Sequence, residues 1–277
     1  MLFNACSGFF KTISIFDRER IHRASKSGEI DDLTWCLSVG ISIDCRDKKY
    51  GRTALHYACS AGHFEIVKVL LEQDADIDAS DFILGYSPLH FACRRGFINI
   101  AEILVKYGAN INAKDREGDT ALSRSSSEIA ELLLSHGADI NSKDNNHNTS
   151  LHHISYWGQF SNLCLFLSHS ADPTIRNNQG QTALDLARSK GRMEIVQALI
   201  PYCSKCRFKN GRSFLHDALV NKSYSWLRDV ENIINVNPAS LVEKDPLTGL
   251  YPYQLAALRV NDLESGYELL RRAPFPL

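Results

Sequence analysis

The cysteine pair Cys203-x-x-Cys206, with His216 ten residues beyond it, is the arrangement in this sequence with the clearest potential for chemistry. A structural zinc ion takes four ligands, and one such pair supplies only half of that set. No second pair stands at a suitable spacing, so the sequence does not favour a zinc site. A redox role would need a strand–helix unit of thioredoxin type before the pair, and the sequence has none. We therefore predict no metal site.

Common catalytic and nucleotide-binding motifs are also missing from the sequence. It contains no Gly-x-x-x-x-Gly-Lys loop to cradle phosphates, no Gly-x-Ser-x-Gly nucleophile elbow and no His-Glu-x-x-His helix. His152 and His153 are adjacent, but the sequence gives no basis for pairing them with a carboxylate of the hairpins as acid and base. The sequence therefore predicts a protein without catalytic residues, and it gives no reason to expect a cofactor.

The composition is that of an ordinary protein with a buried core, since 44% of the 277 residues are hydrophobic and 23% are charged. The formal net charge of −1 gives no global attraction to nucleic acid or to an acidic membrane surface, so we expect neither as a partner. The 8 cysteines are scattered, which is typical of reduced thiols in the cytoplasm or the nucleus. No apolar run reaches the ~18 residues that a membrane span needs.

Residues 1–19 form an apolar leading segment ahead of the rest of the chain. An early basic region is missing and Lys11 interrupts the apolar run, which argues against a secretory signal. We expect this segment to cover the open hydrophobic end of the part that follows. The alternative is an amphipathic segment that touches a membrane and is acylated at Cys6.

A unit that repeats about every 33 residues dominates the sequence. The segment GRTALHYACSAGHFEIVKVLLEQDADIDA, from Gly51, matches GYSPLHFACRRGFINIAEILVKYGANINA, from Gly85, in residue type at almost every position. A degenerate opening copy begins at Arg20, and the later copies become weaker towards the C-terminus. The Thr or Ser that marks each later unit is Thr53, Ser87, Thr120, Thr149, Thr182 or Ser213.

These units resemble ankyrin repeats. The resemblance rests on the T-x-L-H tetrads and on the G-A-D/N-I-N segments, which are Thr53–His56, Ser87–His90, Thr149–His152, Gly108–Asn112 and Gly137–Asn141. It implies an all-α ankyrin-repeat solenoid, elongated and curved, in which helix–turn–helix units are joined by β-hairpin loops. We place the array at residues 20–200, followed by divergent ankyrin-like repeats or a helical cap at residues 201–277.

Local physical chemistry agrees with this resemblance. In each unit the Thr or Ser is a good N-cap for a short helix, because its hydroxyl accepts a free main-chain N–H. A glycine such as Gly62 or Gly96 then ends the helix in a left-handed conformation. The second helix, for example Phe64–Gln73, carries an apolar face that only stacking on a neighbouring unit can bury. We interpret the tetrad histidines as structural hydrogen-bonding residues.

The fourth unit departs from the pattern. It lacks four residues between the tetrad and the second helix, and its tetrad ends in Ser123 where the others have histidine. We expect a shortened first helix, and a capping box made by Ser125 and Glu128 at the start of the second. The deletion produces either a local bend or notch, or no change beyond the loop.

The two residues before each helix-ending glycine are expected to face the concave side of the solenoid. Among them are Arg94 and Arg95 in the third unit, and Tyr156 and Trp157 in the fifth. Tyr, Trp and Arg are the types most enriched at binding hot spots, so we predict that these four contact a partner. An alternative for Trp157 is packing into the space left by the shortened fourth unit.

Two hairpin tips carry apolar residues where a solvated turn is expected. The tips DKKYGRT and DFILGYS are one residue longer than DREGDT and NNQGQT. They place Tyr50, Phe82, Ile83 and Leu84 at the surface, and exposed apolar clusters of this kind mark interaction sites. We predict one protein-binding surface that continues to Arg94 and Arg95. The alternative is that one or two of these side chains fold back onto the adjacent hairpin.

These features together predict a monomeric, non-catalytic scaffold or adaptor for partner proteins. One alternative is the substrate-recognition subunit of a ubiquitin ligase, and another is a regulatory or inhibitory subunit of an enzyme. The family resemblance further implies hydroxylation by an asparaginyl hydroxylase at Asn112 and Asn141, since they occupy the hairpin position that such enzymes modify. The competing interpretation is that asparagine is simply a good turn residue there.

Overall fold

The computed structural model describes residues 15–205, 207–208, 210–220, 230–258, 269 and 271–272. Its regular elements over these residues are helices, and short antiparallel bridges such as Lys114 with Thr120 lie in the hairpin loops. The all-α prediction is confirmed. Most of the leading segment, Cys206 and most of residues 259–277 of the predicted C-terminal part lie outside the described residues. No described helix is both long and apolar enough to cross a membrane.

The chain divides into two compact units, residues 1–145 and residues 146–277. Within the first unit, the first three repeats each contribute a pair of helices with buried apolar faces, and the fourth contributes one α-helix. The helices are α1 (Ile15–Ser27), α2 (Ile30–Ser38), α3 (Ala54–Ala61), α4 (Phe64–Glu72), α5 (Pro88–Arg95), α6 (Ile98–Lys106) and α7 (Ser127–Ser135). In α4, for example, Ile66, Val67 and Leu70 are almost fully buried because they recur on one helical face.

The second unit repeats the same arrangement. Its helices are α8 (Ser150–Trp157), α9 (Phe160–Ser168), α10 (Ala183–Ser189), α11 (Met193–Lys205), α12 (Phe214–Val220), α13 (Glu231–Val236) and α14 (Pro252–Leu258). Helix α11 continues through Pro201, so the repeat pattern loosens in the sequence before the helix itself ends. Cys203 of the Cys-x-x-Cys pair is fully buried in this helix.

Where the tetrad ends in histidine, the ring connects that repeat to the next one. The Nδ1 atom of His56 accepts the main-chain N–H of Thr53 at 3.1 Å, and its Nε2–H donates to the carbonyl of Tyr86 in the next hairpin at 3.0 Å. His90 and His152 make the same two kinds of contact, with the carbonyls of Asp119 and Gln181. Their interpretation as structural residues is confirmed.

The sixth repeat replaces this histidine by Asp185. Its carboxylate accepts the main-chain N–H and the hydroxyl of Thr182, both at 2.9 Å, so the helix is still capped. An aspartate is too short to reach the next hairpin. Arg176 makes that connection instead, since its guanidinium bonds Asp217 and lies 4.9 Å from the ring of Phe208.

Some of the glycines that end the first helices are also in close contact with a side chain of the next repeat. Gly62 has a φ of +85°, and a Cβ atom there would lie 2.7 Å from the Phe97 ring. Gly28 stands in the same relation to His63, at 2.8 Å. The predicted left-handed caps are therefore confirmed, and the absence of a side chain at these positions also lets neighbouring repeats approach closely.

The fourth repeat confirms one expectation and corrects another. Its first helix is reduced to a short 3-10 turn, Ala121–Arg124. The expected capping box of Ser125 and Glu128 is wrong, because α7 begins after Ser126 and the Ser125 hydroxyl donates to the carbonyl of Leu122 at 2.9 Å. With four residues missing, Ser125 is drawn into the end of the 3-10 turn and satisfies a carbonyl there.

We expect Gly62→Ala to lower the free energy of unfolding more than Gly96→Ala does. Both substitutions force alanine into a left-handed conformation, which costs about 1–2 kcal/mol. Only the first also pushes a methyl group into a neighbouring ring, adding about 1–3 kcal/mol of overpacking, since nothing lies within 4 Å of a Cβ atom at Gly96. Urea unfolding of the two variants checks this. Equal losses would contradict the close-approach role of Gly62.

We also expect His56 to make the fold sensitive to mild acid. Burial lowers the pKa of His56 to about 4, from the ordinary 6.5. As the pH falls, His56 is protonated in the unfolded chain at a higher pH than in the folded chain. The free energy of unfolding therefore decreases as the pH falls from about 6.5 towards 4, by about 1.4 kcal/mol per unit of pKa difference.

The variant His56→Gln keeps an acceptor for the Thr53 N–H but cannot titrate. Its urea-unfolding free energy should fall less between pH 7 and mild acid than that of the wild type. His90 and His216 also have lowered pKa values through burial, so part of the dependence should remain. Parallel pH profiles for the two proteins would contradict this role of His56.

Candidate protein-interaction surface

Two neighbouring hairpin tips are closed by inward-pointing aspartates. The tips are finger 1 (Asp47–Thr53) and finger 2 (Asp81–Ser87). The Asp47 carboxylate accepts main-chain N–H groups of Lys49, Tyr50 and Arg52 at 2.6–2.9 Å. Burial alone would raise the pKa of Asp47, but these hydrogen bonds hold it below its ordinary value. Each tip is thus a well-defined turn that presents its side chains from a fixed backbone.

Finger 2 presents the apolar residues that the sequence singled out. Phe82 and Ile83 are each 52% exposed, while Leu84 and Tyr50 are half-buried. The N–H of Phe82 donates to the carbonyl of Tyr50 at 2.7 Å, and the Phe82 ring lies against Gly51. The structure therefore brings the four predicted residues together. It also agrees with the alternative that a side chain folds back onto the adjacent hairpin, since Phe82 contacts finger 1. We call Tyr50, Phe82, Ile83 and Leu84 the fingertip patch.

Cationic side chains surround the fingertip patch. The guanidinium of Arg46 lies 5.4 Å from the Phe82 ring, and the ammonium of Lys49 lies 4.8 Å from the Tyr50 ring. The guanidinium of Arg52 lies 4.9 Å from the Tyr50 ring and pairs with the buried Asp81. The carboxylates of the two fingers are engaged by main-chain N–H groups and by Arg52, so the outward-facing charges nearest the patch are positive.

Arg94 and Arg95 are exposed at the end of α5, and their contact with a partner stays a prediction. The Arg94 guanidinium donates to the hydroxyl of Tyr86 at 3.3 Å and lies over its ring. Tyr86 itself is 3% exposed and belongs to finger 2. Arg94 is therefore connected through Tyr86 to the finger that carries Phe82 and Ile83.

Tyr156 and Trp157 form a second exposed group, in the other unit. Trp157 is 64% exposed, which contradicts the alternative that it fills the space left by the shortened repeat. Its ring meets that of Tyr156 edge to face at 4.9 Å, and Lys190 lies 4.4 Å from the Tyr156 ring. The two rings border a groove of about 500 Å³ that is also lined by carboxamides, which the sequence analysis did not identify as candidates.

Asn112 joins two repeats. Its Oδ1 atom accepts the N–H of Asp139 at 2.8 Å, and its Nδ2 atom donates to the carbonyl of Gly137 at 3.3 Å. Asp44 and Asp78 use their carboxylates in the same way, towards the next repeat. Asn141 lies at the corresponding place one repeat later, and its N–H donates to Asp139. A structural role alone thus accounts for an acceptor side chain at this position.

The third hairpin tip contains a cluster of carboxylates. Oxygen atoms of Asp115, Glu117 and Asp119 lie within 4.8 Å of one another. Arg124 donates to Glu117 at 2.7 Å and to Asp119 at 2.9 Å, and Asp115 accepts two main-chain N–H groups. Arg124 therefore compensates part of the negative charge of the cluster, and Asp115 closes the turn. These carboxylates have a structural role, and we do not assign them a metal site.

Comparisons with known proteins agree with this structure. Models for ankyrin repeats match residues 21–115 and 151–237, and a single-repeat model matches residues 117–145. The chain is 41% identical over 69 residues to a protein of Oryza sativa subsp. japonica named "Probable E3 ubiquitin-protein ligase XBOS34". That match covers 24% of this chain and 14% of the rice protein.

A solved structure has a similar fold. It is described as "Bd0816 Predatory Endopeptidase from Bdellovibrio bacteriovorus in complex with immunity protein Bd3460", and its matching chain superposes with a TM-score of 0.61 at 26% identity. The similarity covers 65% of this chain and 96% of that chain. The ankyrin-repeat models match more than half of the residues. The helices, the histidine hydrogen bonds and the glycine caps recur with the same period. This chain therefore belongs to the ankyrin-repeat family.

Proposed function

We propose that this chain is a non-catalytic scaffold or adaptor, which binds partner proteins through its hairpin fingers and concave helical face. The observation that carries the proposal is the exposure of Phe82 and Ile83, each 52%, on a turn whose backbone is fixed by Asp81. Large apolar side chains on a rigid turn are favourable to bury and lose little conformational freedom on binding. We further propose that it acts as a monomer in the cytoplasm or the nucleus.

The surroundings of the fingertip patch favour a partner with an apolar anchor flanked by acidic residues. Burial of the patch would contribute about 25 cal/mol per Å² of apolar surface. Arg46, Lys48 and Lys49 are exposed beside it, and the nearby Asp47 and Asp81 are turned inward. Acidic residues at the rim of the partner would then accelerate association and fix its orientation.

Two narrower functions have a specific observation in their favour. The similarity to a rice protein named as a probable ubiquitin ligase supports a role as a substrate-recognition subunit, although residues 240–277 lack a convincing Leu-rich, Cys-containing box. The similarity to a chain from an endopeptidase–immunity protein complex supports a role as the regulatory or inhibitory subunit of an enzyme. Co-purification with ligase subunits, or with one tightly held enzyme, would separate them.

The double variant Phe82→Ser/Ile83→Asn should lose partner binding while remaining folded. Each removed anchor is worth about 1.5–3 kcal/mol if fully buried in the complex, which is about tenfold or more in affinity. Both side chains are half exposed in the free chain, so the urea-unfolding free energy should change little. The measurement is affinity capture with mass spectrometry, followed by calorimetric titration of the captured protein.

Leu247→Asn is the matched control, since Leu247 is 60% exposed on the tip of another long hairpin. It should retain the proteins that the wild type captures. Capture of the same proteins, with the same affinity, by the double variant would exclude the fingertip patch as the docking surface.

We retain hydroxylation at Asn112 and Asn141 as a proposal that depends on the family resemblance. Co-expression with an asparaginyl hydroxylase should add one oxygen at each accepted site, detected by intact mass and located by peptide fragmentation. The variants Asn112→Asp and Asn141→Asp should each remove one addition. An unchanged mass of the wild-type chain would rule the modification out.

A further inference from the structure

A groove in the second unit combines carboxamides with exposed aromatic rings. It encloses about 500 Å³ between two hairpin tips and the end of α8. Two features distinguish its lining: five Asn or Gln side chains, and the rings of Tyr156 and Trp157. None of its described lining residues is Asp, Glu, Lys or Arg. The lining itself therefore supplies no counter-ion, and burying a charged ligand there would be unfavourable. Lys190 and Arg192 contact Tyr156 but do not line the groove.

Carboxamides suit the main chain of a polypeptide. A carboxamide group carries one acceptor oxygen and two N–H donors, the same kinds of group as the C=O and N–H that an extended peptide presents in alternation. The exposed side chains at the rim are Asn146, Asn178 and Gln179. They lie on adjacent tips that are held together by a hydrogen bond from the N–H of Asn178 to the carbonyl of Asn146, at 2.9 Å.

The floor of the groove is organised in advance of binding. The Asn177 Oδ1 atom accepts the N–H groups of Gln179 and Gln181, at 3.0 and 2.9 Å. Its Nδ2 atom donates to the Oδ1 atom of Asn148, at 2.9 Å, so the orientation of both amides is fixed. A groove whose polar groups are already oriented loses less entropy when a ligand binds.

Trp157 supplies the apolar part of the site. Among the exposed aromatic side chains of the described residues, Trp157 has the largest exposed fraction, 64%. The ring of Tyr156 packs against it edge to face. Tyr156 is in turn held by Lys190, and its carbonyl accepts from Arg192. A flat, supported indole beside hydrogen-bonding amides can take an aliphatic or prolyl side chain of a bound segment.

We propose that this groove binds an extended, uncharged segment of a partner polypeptide, with the carboxamides contacting its main chain and Trp157 stacking on one of its side chains. The inference rests on the proposed function as a protein-binding scaffold, but it uses a surface separate from the fingertip patch. Glycans also bind sites made of amides and aromatic rings. The regular alternation of donors and acceptors in a peptide, and the lack of a lining carboxylate to hold sugar hydroxyls, favour the polypeptide.

A phage library of random linear peptides, selected against the whole chain, tests the proposal. Selected peptides should bind the wild type, and Trp157→Ala and Gln179→Ala should each weaken binding by about tenfold. Trp35→Ala is the matched control, because Trp35 is a 40% exposed tryptophan in the first unit, and it should bind as the wild type does. Circular dichroism checks that each variant is folded.

Two further measurements identify the mode of binding. N-methylation of single main-chain nitrogens in a selected peptide should abolish binding at several positions, whereas alanine substitution of its side chains should matter at only one or two. Affinity should stay nearly constant between about 0.05 and 0.5 M salt, because no ion pair is involved.

Several outcomes would overturn the inference: no selected peptide, peptides indifferent to Trp157→Ala, indifference to N-methylation, or binding to a glycan array in place of peptides. The fingertip variant Phe82→Ser/Ile83→Asn should still bind the selected peptide. Partner capture that depends on Phe82 and Ile83 alone would leave the proposed function standing while this inference fails.

Discussion

Where the tetrad ends in histidine, that buried ring links the start of one helix to the next hairpin, and the stacking of those repeats depends on it. His56 accepts the main-chain N–H of Thr53 through Nδ1 and donates to the carbonyl of Tyr86 through Nε2. Only the neutral ring can do both. Burial lowers its pKa to about 4, so the ring is neutral at ordinary pH. One side chain thereby satisfies two buried main-chain groups and fixes the register of adjacent repeats.

The surface chemistry of the fingers follows from the way they are closed. Asp47 and Asp81 turn their carboxylates inward onto main-chain N–H groups, which leaves apolar and cationic side chains on the outside. In the second unit Asn177 has the corresponding role, and its neutral amide extends the network to Asn148. The same turn therefore yields a cationic, apolar surface in one unit and an uncharged, amide-rich groove in the other.

Features that recur from repeat to repeat could be predicted from the sequence. Hydrogen bonds and grooves that form between residues far apart in the sequence were harder to predict. The role of His56 was predictable because the tetrad recurs in several copies. Ser125 was assigned to the wrong cap because the deletion changes which carbonyl lies nearest its hydroxyl. Nothing in the sequence relates Asn148 to Asn177, and only the stacking of hairpins shows that they share a groove with Trp157. The partial burial of Phe82 likewise depends on its contact with the neighbouring finger 1, which the sequence does not specify.

Site-specific photo-cross-linking in cells that express the chain tests the central claim, that a partner protein docks on the exposed finger of the first unit. A photoreactive phenylalanine analogue at position 83 replaces Ile83, which is 52% exposed, and the same analogue at position 247 replaces Leu247, which is 60% exposed on another tip. The account predicts a discrete covalent adduct with one protein at position 83 and none at position 247. No adduct at position 83, or the same adducts at both positions, would contradict it.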